Sequence, residues 1–473
     1  MKAGIAVQPK FEGKKMIFGK FRELFFVGIG GAGMSGIAEI LHNLGYTVSG
    51  SDLSHSEVTE HLDQLGVRIF EGHDGANIGN SNVVVISSAV SADNPEVVEA
   101  KRRGIPVIKR AEMLGELMRL KYSIGIAGTH GKTTTTSMIG KIMTDARLEP
   151  TVIVGGIVAG TGSGATLGTG DYLVAEADEY DRSFLSMFPS MAVITNIEAD
   201  HLDCYDGMED LENSFLTYMN RVPFYGLVVY CMDDPTLLRL HGRISRGAVT
   251  FGFSDGADYR AADVRYFEGG SRFSVFKRET LLGQIELHVP GRHNVLNALA
   301  AIAAVSELEV KFETVADALL KFRGVDRRFE IKSITGNIMV VDDYAHHPTE
   351  IRATLETART SYNRRVIVVF QPHLFSRTRQ FYREFAEVLH LADIAYLVDI
   401  YPAREKPMEG VTSEMISRCA LQMGYNNIHY VGPKENAVGE VLKTIRSGDM
   451  IITIGAGSIT RINPEIVRGI EKR

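Results

Sequence analysis

Apolar blocks alternate along the chain with blocks of helical spacing, and Gly, Asn, Asp or Pro marks most changes from one to the other. A first strand is expected at Leu24–Gly28, followed by a glycine-rich turn, a helix over Ser35–Leu44 and a strand at Thr47–Ser51. A helix from Ser56 to Leu65, strands at Val67–Phe70 and Val83–Ser87, a helix at Pro95–Arg103 and a strand at Pro106–Ile108 continue the pattern. Such alternation predicts a parallel, doubly wound sheet. A helix over Arg110–Leu120 leads into a new strand at Ser123–Ala127, which puts a first boundary near residue 121.

The second segment opens on another glycine-rich turn and helix, with strands at Tyr172–Glu176 and Met191–Asn196. Residues 248–289 read as antiparallel, with short alternating pieces such as Arg272–Lys277 and Gln284–Val289. Helices over Asn294–Leu308 and Glu313–Phe322 precede a second boundary near 330. The last segment repeats the alternation: strand Met339–Asp342, helix Pro348–Ser361, strand Val366–Phe370, helix Ser376–Ala392, strand Ile394–Val398 and a closing strand at Met450–Ile454. The expected fold class is α/β in three domains, 1–121, 122–330 and 331–473.

Composition narrows the function. A length of 473 residues fits about three domains, and 45% hydrophobic with 23% charged residues is the balance of a globular protein. A net charge of −7 excludes a general basic footprint for nucleic acid and leaves local anion sites open. No apolar run reaches the roughly 18 residues of a membrane span, so no membrane insertion is expected. Met1–Lys20 reads as a loose polar tail without the apolar core of an export signal. Cys204, Cys231 and Cys419 are odd in number and far apart, which fits a reducing cytoplasm better than a disulfide framework.

The chemistry sits in two glycine loops. Gly28, Gly30 and Gly33 form G-x-G-x-x-G between a strand and a helix, where backbone N–H groups and the helix N-terminus favour a phosphate. Asp52 ends the next strand, where an acid would meet a ribose hydroxyl. Taken alone this fingerprint favours NAD; a tight turn capped by Asp52 is the structural alternative. The second loop, Gly128-Thr129-His130-Gly131-Lys132-Thr133-Thr134, resembles a Walker-type loop, with Lys132 for the β/γ-phosphate oxygens and Thr133 for Mg²⁺. It departs from the strict pattern because Ile126 stands at the first glycine position. Downstream, Glu176 at the end of an apolar strand is a candidate carboxylate ligand for Mg²⁺. His201, after a second strand end and beside Asp200, is placed for a second metal or a phosphate.

Seven stretches then occur in one order: Gly28–Glu39, Gly128–Thr134, Glu176–Leu185, Thr195–Asp203, Gly291–Asn297, Asp326–Glu330 and Asp342–Glu350. On these residues the chain resembles the Mur ligases of bacterial peptidoglycan synthesis over essentially its whole length, and within them the branch that adds L-alanine to UDP-N-acetylmuramate. The resemblance implies a Rossmann-like N-terminal domain that holds UDP rather than NAD, a P-loop-type central ATPase domain and a Rossmann-like C-terminal domain for the amino acid. It implies UDP-sugar contacts from Gly30, Gly31, Gly33, Met34, Ser51, Asp52, His73 and Ser87. ATP contacts are implied for Gly128, Thr129, His130, Gly131, Lys132, Thr133, Thr134, His293, Asn294, Asn297 and Arg327. Asp343, Tyr344 and His346 would face the reaction centre, and Arg377 and Arg379 would grip the carboxylate of alanine or of the muramoyl group.

The implied reaction is ATP-dependent formation of an acyl phosphate, then attack by the amine. Lys132, Thr133, Glu176 and His201 would hold ATP and Mg²⁺, with Mn²⁺ able to substitute. Either His346 or Asp343 is left open as the base. Substrates would be UDP-N-acetylmuramate, ATP and L-alanine, with a monomer or homodimer as the working form. Sister ligases that add later residues carry a carbamylated lysine soon after the His201 region; no lysine stands between Lys141 and Lys277, as in the alanine-adding branch. Three rivals remain: a sister ligase that reattaches a recycled tripeptide, an NAD oxidoreductase built on the first loop, and a nucleotide switch built on the second.

Overall fold

The computed structural model describes residues 18–87, 89–155, 165–199, 204–403 and 405–472. Two compact units make up the chain. One runs to Arg260 and takes in Phe276–Leu282 and Leu296–Ala318; the other comprises Ala261–Val275, Gly283–Val295 and the chain from Leu319 onward.

The first unit holds a five-stranded sheet in the order Arg68–Glu71, Thr47–Asp52, Glu23–Val27, Val83–Ile86, Val107–Lys109. All its pairings are parallel. The central strand ELFFV buries four of its five residues, because helices cover both faces of a parallel sheet. Pairing order reverses beside Glu23–Val27, and such a switch point opens a crevice at the strands' carboxyl ends.

A ten-stranded sheet follows, in the order Thr280–Leu287, Gly270–Lys277, Tyr259–Phe267, Ala248–Gly252, Leu227–Cys231, Met191–Ile194, Tyr122–Ala127, Tyr172–Glu176, Thr151–Ile153, Ala165–Thr166. The stretch expected to be antiparallel from 248 starts later than the sequence suggests. Ala248–Gly252 lies parallel to Leu227–Cys231 and, at its end, to Tyr259–Phe267. Only the two-residue connections after Phe267 and Lys277 enforce hairpins. The strand expected at Met191–Asn196 ends at Ile194, where Thr195 and Asn196 leave the ladder for side-chain work described below.

In the second unit six strands run Glu330–Thr335, Ile338–Asp343, Met450–Ile454, Val366–Phe370, Ile394–Val398, Ile428–Gly432, with only the first pair antiparallel. Met450–Ile454 and Val366–Phe370 are buried at every position, as a sheet covered on both faces requires. The architecture is α/β with three open sheets, as expected. Among the described residues no helix is long and apolar enough to cross a membrane.

Candidate active site

Tyr122–Ala127 lies between Met191–Ile194 and Tyr172–Glu176, so the loop after it sits at the carboxyl edge of the sheet. The loop is laced to the neighbouring strand end. His130 N–H donates to Asn196 Oδ1 at 2.8 Å, while the Asn196 amide and the Thr195 hydroxyl donate to the His130 carbonyl at 3.0 and 2.6 Å. The Thr129 hydroxyl accepts from Glu198 N–H at 2.9 Å. Gly131 has φ +86°, and any Cβ there would overlap Asn297 Oδ1, which also accepts from the Thr135 hydroxyl at 3.3 Å. Asn297 therefore buttresses the loop from a helix far along the chain. Sequence reasoning missed Thr195 and Asn196 as loop braces; their polar side chains right after a four-residue buried strand were the available signal.

Lys132 opens the helix Lys132–Asp145. Its ammonium donates to Glu179 Oε2 and to the Gly128 carbonyl, both at 2.7 Å, with Asp178 at 3.8 Å. Burial alone would lower the ammonium's pKa, but Glu179 and Asp178 more than offset that and hold it above its ordinary value. Burial pushes the Glu179 carboxyl up to about 7, against the pull of Lys132. Glu176 ends its strand beneath the loop, and burial raises its carboxyl too, with the Thr133 hydroxyl as one hydrogen-bond partner. Glu176 Oε1 is buried without any partner. That orphan oxygen beside a hydroxyl is the hard-oxygen set a small divalent cation takes. His201 lies outside the described residues.

At the first loop, Gly30 N–H donates to Asp52 Oδ2 at 2.8 Å, so Asp52 holds the loop itself. Gly31 caps the helix Ala32–Asn43 and Met34 is buried in its first turn. Ser87 Oγ lies close to Gly28, 3.9 Å from where a Cβ would stand. Ser51 and His73 meet on one carboxylate: Ser51 Oγ donates to Glu96 Oε2 at 2.8 Å and His73 Nδ1 lies 2.9 Å from the same oxygen. Glu96 has no exposed surface, and Asn77 Nδ2 donates to its other oxygen at 2.9 Å. Glu96 follows a Pro at the start of a helix, where an acid reads as a partner of the helix dipole, which is why the sequence hides it.

The second unit gathers another cluster at the carboxyl edge of its sheet. Arg327 Nε lies 3.1 Å from Asp342 Oδ2 and Nη2 donates to the Gly455 carbonyl at 2.5 Å. The Tyr344 ring has two guanidiniums near it, Arg327 at 4.9 Å and Arg328 at 5.4 Å from its centre. Asp343 accepts from Phe329 N–H and Ala345 N–H, each at 2.8 Å, and burial pushes its carboxyl up to about 6. His346 Nδ1 lies 3.0 Å from the Tyr344 carbonyl and 3.3 Å from Glu350. Glu350 also accepts from His346 N–H at 3.0 Å and from His347 N–H at 3.3 Å, and the latter bond closes a capping box on the helix Pro348–Ser361. Arg377 is buried, whereas Arg379, two residues on in the same helix, is exposed. Residues two apart do not share a helix face, so the two candidate carboxylate-gripping arginines stand in different surroundings. His293 and Asn294 begin the helix Arg292–Ser306; Asn294 is buried and donates to the Pro290 carbonyl at 2.7 Å, and His293 is exposed.

Comparison with known proteins adds a second line. The catalytic-domain pattern of the Mur ligase family matches residues 23–122, the Mur ligase middle domain matches 126–305, and the glutamate ligase domain of Mur ligases matches 327–457. A UDP-N-acetylmuramate–L-alanine ligase from Salinibacter ruber is 51% identical over 455 residues, 96% of each chain. The ligase of the same name from Geotalea daltonii is 48% identical over 96% of this chain and all of its own. The crystal structure of UDP-N-acetylmuramate-alanine ligase from Thermotoga maritima superposes with a TM-score of 0.80 at 32% identity, covering 95% of this chain and 99% of that one. With three sheets in that order, a lysine loop braced on the middle one and near-full-length matches of this kind, the chain belongs to the Mur ligase family.

Proposed function

We propose that this chain is an ATP-dependent ligase that joins L-alanine to the carboxylate of UDP-N-acetylmuramate, releasing ADP and phosphate, in the cytoplasmic stage of peptidoglycan synthesis. The relatives' shared name suggests the substrates. The observation that carries the chemistry is the Lys132 ammonium on its braced loop, above the Thr133 hydroxyl and the unpartnered Glu176 oxygen. The domains we assign are 1–121 for the UDP-sugar, 122–330 for ATP and 331–473 for the amino acid.

A carboxylate is a poor electrophile, and both it and the γ-phosphate are anionic. Lys132 leaves Glu179 for the β/γ oxygens and offsets the charge that gathers there as the carboxylate oxygen attacks phosphorus and ADP departs. Thr133, Glu176 and His201 would hold Mg²⁺, which supplies Lewis-acid charge to the same oxygens. Gly128–Thr134 and Asn297 shape the phosphate cradle, and His293, Asn294 and Arg327 complete the nucleotide contacts. In the second half the alanine amine attacks the acyl carbon, phosphate leaves, and the amine's proton passes to His346 or Asp343. Tyr344, Arg377 and Arg379 orient the amino acid and the carboxylates, while Gly30, Gly31, Gly33, Met34, Ser51, Asp52, His73 and Ser87 hold the UDP-sugar.

Phosphate release from ATP tests this reading, with UDP-N-acetylmuramate and either L-alanine, glycine, L-serine or the recycled tripeptide. Release that needs both the UDP-sugar and L-alanine is expected. Release with the tripeptide alone would move the chain to the recycling branch, and no release with any acceptor would end the ligase reading.

A further inference from the structure

Arg110 stands at the first position of the helix Arg110–Met118, next to the first glycine loop. A Cβ built on Gly33 would lie 2.8 Å from Arg110 Nη1 and 3.2 Å from its Cζ, so the guanidinium rests against the first turn of the helix Ala32–Asn43. Gly33 keeps ordinary helical backbone and has no positive φ. Its missing side chain provides room for the arginine rather than conformational freedom. No carboxylate or carbonyl of the described residues accepts from Arg110, although Lys109 beside it is paired with Asp181 at 3.0 Å. The N-cap of the Ala32 helix, Gly31, offers no side-chain cap either. A cation at a helix N-terminus is on the unfavourable end of the dipole, so neither the fold nor its own helix accounts for this guanidinium.

From these observations we infer that Arg110 is a ligand-binding residue of the first loop, which grips the diphosphate of the UDP-sugar from beside the glycine backbone at Gly33. The inference rests on the UDP-sugar reading of that loop. Five fixed donors suit two phosphates bridged by one oxygen, and a guanidinium beside the first turn of this helix adds a full positive charge next to the positive end of its dipole. The residue would thereby distinguish a nucleoside diphosphate from a monophosphate.

Calorimetric binding of UDP, UMP and uridine to the whole chain separates the possibilities, with steady-state kinetics alongside. The expected result is that Arg110→Ala weakens UDP roughly 10- to 100-fold, the scale of a lost charge-assisted contact. Uridine binding should stay unchanged and the advantage of UDP over UMP should shrink. KM for the UDP-sugar should rise by a similar factor while kcat and KM for ATP hold. Arg110→Lys should recover part of the loss. Thermal stability of Arg110→Ala should be equal or slightly higher. If wild type binds UDP and Arg110→Ala binds it equally well, the inference is overturned and the UDP-sugar reading stands. If wild type binds no UDP at all, the reading of the loop itself fails.

Discussion

Lys132 Nζ and Glu179 Oε2 stand 2.7 Å apart, and Glu179 is almost wholly buried with its second oxygen unpartnered. The cation of the loop is thus parked on an internal anion, and leaving that anion is part of engaging any phosphate. Lys132→Met should cost at least about 10³-fold in kcat, because a phosphate clamp is lost. It should also cost about 3 kcal/mol of stability at pH 8, because a buried carboxylate loses its partner. Glu179 already has its folded pKa raised from 4.5 to about 7, and losing Lys132 raises it further. Stability tied to such a group is fully present below pH 4.5 and drains away as pH rises through the folded value. The penalty of Lys132→Met should therefore fade on acidification toward pH 5, and Lys132→Met with Glu179→Gln should recover stability without activity. Urea unfolding at the two pH values checks this; a penalty independent of pH would refute it.

Gly131→Ala should be more damaging than an exposed glycine substitution. At φ +86° an alanine is strained by about 1 kcal/mol, and its Cβ has to push Asn297 away from the loop. The expected outcome is a rise in KM for ATP of at least tenfold with little change in KM for the UDP-sugar. Asn297→Ala should relieve the overlap, so the double variant should bind ATP better than Gly131→Ala alone. Strict additivity of the two in ATP binding would show that Asn297 is no buttress.

The sequence discloses the parallel sheets well because their strands, buried on both faces, are unbroken apolar runs: Tyr172–Glu176, Val366–Phe370, Ile394–Val398 and Met450–Ile454 begin and end where the pattern says. Edge strands such as Glu330–Thr335 and Ile428–Gly432 are half-exposed and mixed, so no period marks them. The glycine loops were legible because backbone geometry demands their residue types. Their supports were not: Asn297 meets Gly131 and Glu96 meets Ser51 across long stretches of chain, and no local spacing encodes such pairings. Arg110 was invisible for the same reason, since at the start of a helix it reads as one more surface charge.

Asp343 carries a pH signature of its own. Burial raises its carboxyl from 3.8 to about 6 despite two N–H donors, so stability from this group is complete below pH 3.8 and is lost as pH climbs through 6. Asparagine does not titrate. The stability advantage of wild type over Asp343→Asn should therefore shrink between pH 4.5 and pH 7.5, by at most about 3 kcal/mol for two pKa units. Denaturant unfolding of both proteins at those two pH values provides the comparison, and an unchanging difference would mean that the carboxyl titrates alike in both states.

Glu96 has a structural reading and a binding reading, and one variant series separates them. Its two oxygens serve Ser51, His73 and Asn77 and Glu96 itself has no exposed surface, so Glu96→Ala takes a shared partner from three polar groups, leaves Ser51 and His73 only each other, and should cost about 3 kcal/mol. Glu96→Gln keeps the volume but turns an amide donor toward groups that are themselves donors, so about 1–2 kcal/mol should be lost. If the carboxylate only braces the strand ends, both variants should keep the wild-type KM for the UDP-sugar once measured well below their melting temperatures. If it also fixes the orientation of Ser51 and His73 toward the nucleotide, KM for the UDP-sugar should rise severalfold in Glu96→Gln while KM for ATP stays put. The second outcome is expected, because Ser51, at a strand's carboxyl end, and His73, just past the end of the neighbouring strand, touch each other at 3.0 Å and both rest on this one carboxylate oxygen. Equal shifts in both KM values would instead report a general loosening of the fold.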